Sequence, residues 1–219
     1  PADETVELAV AIARSDVPGV RPAATLPLAL RHPPRTVGRD ALIGAAEARW
    51  QLGAQLLLLG AAGIGKTRLL SDLVRRWALP LVVQLAPPCA ESSYGLLSQL
   101  AGALRKYAVN AGAVLEGWLA WLEAPAARTS PLQPVSRAKL VEVVTALVAS
   151  AGAGGCRGVA IEDLHYADAA SLDVLCDVWA ATAAAALRGD AAPRFGWLAS
   201  ARDNELPAAV GRWLDALPP

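Results

Sequence analysis

Methionine is absent from this 219-residue chain, which opens on Pro1. The expectation is a piece cut from a longer polypeptide. Cysteine is scarce as well: Cys89, Cys156 and Cys176 are too few and too scattered for a disulfide framework or a metal site. An odd count fits a reducing compartment, with the cytoplasm as the default. There is no charge of one sign to spare, since twenty basic residues balance twenty acidic ones. Composition therefore gives no support for DNA or an anionic membrane as a direct partner, and any nucleic-acid contact is expected in other parts of the protein. No apolar run approaches the roughly 20 residues that span a bilayer, and no signal-like segment opens the chain. What is abundant is apolar residues, at 54% enough for one sizeable core or a core plus an appendage.

The most informative stretch is Gly60-Ala61-Ala62-Gly63-Ile64-Gly65-Lys66-Thr67, which comes directly after the apolar run Leu56 to Leu59 and matches G-x-x-x-x-G-K-[ST] at every fixed position. Glycines let the backbone curl so that successive N–H groups point at phosphate oxygens, Lys66 adds counter-charge, and Thr67 is placed to put its hydroxyl on Mg2+. A helix expected to begin near Arg68 adds the partial positive charge of its N-terminus. A chance glycine-rich turn is the alternative, but the motif also needs a strand before it and a helix after it. Gln55 to Leu59 reads as a buried strand, and Thr67 to Trp77 has helical periodicity.

The rest of the chain alternates in the same way. Glu4 to Arg14 has helical spacing and runs into Pro18, Pro22, Pro27, Pro33 and Pro34, a linker composition. Helices are expected over Asp40–Leu52, Leu96–Val109, Val114–Leu122, Ser136–Ala149, Ala169–Leu187 and Glu205–Leu217, and further strands over Leu81–Leu85, Gly158–Ile161 and Phe195–Ser200. Asp168 is placed to cap the helix at Ala169. Such alternation predicts an α/β fold, a three-layer α-β-α sandwich with a mainly parallel sheet. The domains read as residues 1–35, the end of a preceding helical domain with its Pro-rich linker, and residues 36–219, a nucleotide-binding core.

A phosphate-binding loop needs an acidic partner at the end of another strand, to hold the water shell of Mg2+ and orient an attacking water. Glu162-Asp163, after Val159-Ala160-Ile161, is the candidate pair, against the plainer reading of a surface acidic pair. His165 reads equally as a structural or a site residue. The seven tryptophans are most simply packing residues, because no basic stripe accompanies them.

Gly158 to Leu172 (GVAIEDLHYADAASL) resembles the strand-plus-DDLHWAD-xx-SL signature of the signal-transduction ATPases of the STAND class. Within that class the chain is most similar to large ATP-binding regulators of the LuxR type and to relatives with a bacterial transcriptional activator domain. Val37-Gly38-Arg39-Asp40 resembles the VGR-[DE] box ahead of the P-loop, beside base and ribose. Cys89 to Tyr94 resembles the segment after the second strand, and Ser200-Ala201-Arg202 resembles an [ST]-x-R sensor whose arginine meets the terminal phosphate. These matches cover about Thr36 to Arg202. The resemblance implies a P-loop NTPase that binds ATP or ADP with Mg2+. It places the nucleotide on Val37, Gly38, Arg39, the loop Gly60 to Thr67 and Arg68, metal on Thr67, Glu162 and Asp163, and catalysis on Glu162, Asp163 and Arg202. Arg39 and Arg202 read otherwise as solvated charges. Adenine nucleotide, neighbouring domains of the same polypeptide and, only through those domains, DNA are the implied partners, and a nucleotide-dependent oligomer is compatible with them.

The chain departs from the signature at Glu162, where an aspartate is usual, and at Tyr166, where a tryptophan is. The longer carboxylate is expected to crowd an octahedral ion, and the tyrosine is expected to matter less. Which acid serves metal and which serves water stays open. The family pattern continues with a fifth strand and a helical lid, so an uncovered sheet edge is expected here. The resulting expectation is a switch with slow Mg-dependent ATP hydrolysis in a bacterial transcriptional regulator; the rivals are a non-hydrolysing P-loop scaffold and a small-molecule kinase.

Overall fold

The computed structural model describes Thr36 and residues 38–52, 55–83, 93–108, 112–124, 135–187 and 195–215. The helix expected at Glu4–Arg14, the Pro-rich stretch, Val37 and Cys89 to Ser92 lie outside the described residues. The chain divides into two units, Pro1–Val37 and Gly38–Pro219. The second holds every helix and strand described below.

Among the described residues the elements are α1 (Asp40–Gln51), β1 (Gln55–Leu59), α2 (Lys66–Trp77), β2 (Leu81–Val83), α3 (Gly95–Arg105), α4 (Ala113–Glu123), α5 (Arg137–Ala153), β3 (Gly158–Glu162), α6 (Ala169–Leu187), β4 (Gly196–Ala201) and α7 (Ala208–Asp215). Single 3-10 turns come after β3 at Leu164–Tyr166 and after β4 at Asp203–Glu205. The strands form one sheet in the order β1-β4-β3-β2, parallel at every pairing. The expected α/β class is therefore what is seen.

Period-2 alternation along the strands sorts their side chains into two cores. Leu56, Leu58, Ala160 and Leu198 face α1 and α2, where they meet Ala46, Trp50, Leu69, Leu70 and Leu73. Leu57, Val159, Ile161, Trp197 and Ala199 face the opposite way, into the larger core built with α3 to α7. All seven tryptophans pack into one core or the other, as expected. The burial expected of Gln55–Leu59 needs correction. β1 lies at one edge of the described sheet, so its residues are half-buried and Leu59 is exposed.

Boundaries also shift for identifiable reasons. The helix at Ser136 runs on through Gly152 to Ala153, with Ser136 Oγ accepting from the Lys139 amide at 3.2 Å as its cap. Burial of Leu147, Val148 and Ala151 outweighs the helix-weakening glycine. The last expected helix divides into the turn Asp203–Glu205 and α7, because Pro207 cannot continue a helix from the preceding turn.

Two close fits set the positions of the elements. Gly158 and Gly196 pair across β3 and β4, and the ring of Trp50, buried and stacked on Trp77 at 4.4 Å, lies against them. A Cβ built on Gly196 would fall 2.3 Å from the Trp50 ring. Asp168 caps α6 as expected, accepting from Ser171 N at 2.9 Å, but it also accepts from Tyr94 N at 3.0 Å and Leu96 N at 3.2 Å. One carboxylate thus closes the N-termini of both α3 and α6, whose dipoles favour its charge.

Gly196→Ala is expected to cost about 1–3 kcal/mol through overpacking against Trp50, measured by urea unfolding. In a Trp50→Leu background the same change should cost clearly less, and equal costs in both backgrounds would show that the ring is not what the glycine accommodates. Asp168→Ala leaves three amide donors without their acceptor. It should lose about 2–4 kcal/mol, with Asp168→Asn losing less because one acceptor oxygen remains; thermal melts followed by circular dichroism decide this.

Candidate functional site

The loop Gly60 to Gly65 joins the C-terminal end of β1 to α2. Gly63 (φ +77°) and Gly65 (φ +93°) adopt left-handed backbone, which L side chains rarely adopt, and a Cβ on Gly63 would meet no atom within 4 Å. The helix begins at Lys66 with Gly65 as its cap, two residues before the expected start at Arg68. That places the amides of Lys66, Thr67 and Arg68 in the first turn, where no intrahelical acceptor exists. No acidic residue occupies that turn.

Lys66 is 9% exposed, and its ammonium donates to the carbonyl oxygens of Gly60 at 2.7 Å and Ala61 at 2.9 Å. Among the described residues no carboxylate pairs with it. A buried cation satisfied only by neutral oxygens fits an anionic ligand. Ala61, Ala62 and Ile64 are exposed on the loop, and Thr67 is exposed at the head of α2. Arg68 turns along its helix towards Asp72, with Nε 3.6 Å from the carboxylate.

Arg39 reaches the loop from the N-terminus of α1, where its guanidinium donates to the Ile64 carbonyl. Gly38 precedes it in left-handed backbone (φ +74°). Register brings three strand ends to one edge of the sheet. Leu58 pairs with Ser200 and Ile161 with Ala199, so the loop after β1, Arg202 after β4 and Glu162-Asp163 at the end of β3 leave the sheet at neighbouring levels.

Glu162 and Asp163 are both half-buried, and Asp163 adopts left-handed backbone (φ +53°). Its amide donates to Ser200 Oγ at 3.1 Å, a side chain that is itself fully buried. Oxygen donors on Thr67, Glu162 and Asp163 suit a hard cation. Among the described residues there is no group of three or more His, Cys, Asp or Glu that could hold a metal ion.

Arg202 is tied down on both sides. Nη1 donates to Glu205 Oε1 at 2.7 Å and Nη2 to Tyr166 Oη at 3.0 Å, with the Tyr166 ring 5.6 Å from the guanidinium carbon. The bond to Glu205 holds the Arg202 pKa above its ordinary value. The Tyr166 hydroxyl accepts a bond here that an indole, which has only a donor, cannot.

His165 packs against Tyr166 with ring centres 4.1 Å apart, and its side chain is 1% exposed. Among the described residues neither ring nitrogen has a hydrogen-bond partner, and Nε2 lies 3.8 Å from Glu205 Oε2. Burial pushes its pKa down, opposed by Asp163 and Glu205 and helped by Arg202 and Lys66. Sequence reasoning missed Glu205, a turn acid with no local signal, and named Ser200 only within the [ST]-x-R resemblance, without the bond it accepts from the Asp163 amide. Cys156 and Cys176 are buried, and burial raises the pKa of the Cys156 thiol and pushes that of Cys176 up to about 11. No described helix is long and apolar enough to cross a membrane.

A comparison with curated proteins gave no match. A family model for an AAA ATPase domain matches residues 35–188, which takes in Arg39, the glycine-rich loop, Lys66, Thr67 and Glu162-Asp163 and stops before β4 and Arg202. With the match spanning more than half of its length, the chain belongs to the AAA ATPase domain family.

Proposed function

We propose that this domain is an ATP/ADP-binding switch within a multidomain signalling ATPase of the STAND class, in a bacterial transcriptional regulator, and that it hydrolyses ATP slowly. The observation that carries the reading is Lys66, a buried ammonium whose partners are two loop carbonyls, beside first-turn amides with no acid among them. Phosphate oxygens are stronger acceptors than carbonyls for such a donor.

In this reading Gly38 and Arg39 lie beside base and ribose, as does Val37, which is outside the described residues. The backbone from Gly60 to Gly65, Lys66, Thr67 and Arg68 hold the phosphates. Strands in a sheet lie about 4.8 Å apart, so the loop after β1 and the acids after β3, with β4 between them, are separated by about 10 Å. That span suits phosphates on one side and a water on the other. Thr67, Glu162 and Asp163 would hold Mg2+, which when bound supplies charge neutralisation on the phosphates. Water attacks the terminal phosphorus in line; its oxygen bonds to phosphorus, the bond to the bridging oxygen of the diphosphate breaks, and a carboxylate of Glu162 or Asp163 accepts the proton. Arg202 contacts the terminal phosphate, and the difference between triphosphate and diphosphate is passed to neighbouring domains, through which any DNA contact is made.

Lys66→Ala should weaken binding of ATP and ADP at least tenfold, about 1.4 kcal/mol, in a fluorescent-nucleotide titration. Equal affinity in the two proteins would refute the assignment. Glu162→Asp shortens the acid by one methylene and should raise turnover measured as phosphate release, while Asp163→Ala should abolish turnover with little loss of binding. A rate unchanged or lowered by Glu162→Asp would overturn the crowding argument, and a wild-type chain that binds ATP without any turnover would favour the scaffold reading.

A further inference from the structure

The 3-10 turns after β3 and β4 interlock through a small set of side chains. Arg202 spends two of its donors on Glu205 Oε1 and Tyr166 Oη. The second oxygen of Glu205 stands 3.8 Å from Nε2 of His165, a buried imidazole whose nitrogens both lack hydrogen-bond partners among the described residues. One carboxylate thus lies between a guanidinium that it holds and an imidazole that it nearly reaches.

We propose that Glu205, with Tyr166, is an internal competitor for the Arg202 guanidinium, and that it sets how strongly the site prefers a nucleoside triphosphate to the diphosphate. This rests on the reading that Arg202 meets the terminal phosphate. For Arg202 to do so, its bond to Glu205 must be exchanged for one to the phosphate. Only a triphosphate requires that exchange, so the competitor weakens triphosphate binding selectively. His165 lowers the cost of release: freed of Arg202, the Glu205 carboxylate needs to move by under about 1 Å to accept a hydrogen bond from the neutral Nε2–H, satisfying an imidazole that has no other hydrogen-bond partner among the described residues. Glu205 is a positioning residue, acting on the nucleotide through Arg202.

The effect is bounded by the partial exposure of the pair, with Arg202 at 33% and Glu205 at 41%. Exposed ion pairs are weak, so the change in affinity is bounded at roughly fivefold.

The test measures the ratio of ADP to ATP dissociation constants for the full 219-residue chain in Mg2+ buffer. Glu205→Gln should raise the ratio about threefold to fivefold, chiefly by tighter ATP binding. Tyr166→Phe, which removes only the hydroxyl acceptor, should move it the same way by a smaller factor. Asp203→Asn removes a neighbouring charge whose Oδ1 accepts from the Asn204 amide, and should leave the ratio unchanged. In an Arg202→Ala background the effect of Glu205→Gln should vanish. If Arg202→Ala itself leaves the ratio at its wild-type value, the phosphate-sensing reading fails. If Arg202→Ala lowers the ratio while Glu205→Gln and Tyr166→Phe do not raise it, phosphate sensing stands and the competitor is refuted. An equal rise in Asp203→Asn, or a Glu205→Gln effect that persists without Arg202, would assign the change to bulk charge and also refute it.

Discussion

Trp50 against the paired glycines of β3 and β4 is the constraint on which the arrangement of the site depends. A side chain at Gly158 or Gly196 would occupy the space of the indole, so the ring, the two strands and α1 fix one another's positions. A helix of 12 residues is about 18 Å long, close to the length of a five-residue strand. With Trp50 seated where β3 and β4 begin, the other end of α1 reaches the edge where they end, and Arg39 meets the Ile64 carbonyl there. The base of the sheet thereby locates a residue at the opposite edge.

At that upper edge the connections run between strands. Ser200 Oγ, fully buried on β4, accepts from the amide that comes after β3. Arg202 after β4 donates to Tyr166 after β3, and Asp168 ties the start of α6 to the start of α3. Each bond joins segments far apart in sequence and ties the acidic strand end to the arginine strand end. The glycine-rich loop is held mainly by its own backbone conformation and the lysine returning to its carbonyls, with Arg39 the one long-range contact described on it.

This division decides how much of the fold and site is legible in the sequence. Wherever the signal is local, it is readable: apolar runs with breakers give the four strands, the glycine-lysine-threonine spacing gives the loop, and Asp168 before Ala169 gives a cap. Tertiary partners leave no such trace. Nothing local marks Gly196 as the seat of a tryptophan 146 positions earlier. Nor does anything local show that the Asp168 cap serves a second helix, that β1 lies at an edge, or that Glu205 takes up Arg202. The helix through Gly152 outruns its expected end for the converse reason, because a local glycine signal is overridden by burial of the residues around it. The resemblance carried by residues up to Arg202 reaches past the family match, which ends at residue 188, so the arginine end of the site rests on geometry and on the proposed reading.

The two cations of the proposed site have different partners, and the difference divides their roles. Lys66 is held by neutral carbonyls, so a phosphate replaces weak acceptors with a charged one and every nucleotide that reaches the loop gains from the exchange. Arg202 is held by a carboxylate and a phenol, so a phosphate replaces one anion with another and the net change is small. A large term common to both nucleotides suits affinity. A small term present only with the terminal phosphate suits discrimination, because a switch whose two states differ by a few kcal/mol is reversible at cellular nucleotide concentrations, and one locked by a deeply buried ion pair is not. On this reading the exposure of Glu205 and Arg202 is part of how the domain works: it keeps the distinction between ATP and ADP weak enough to be reversed.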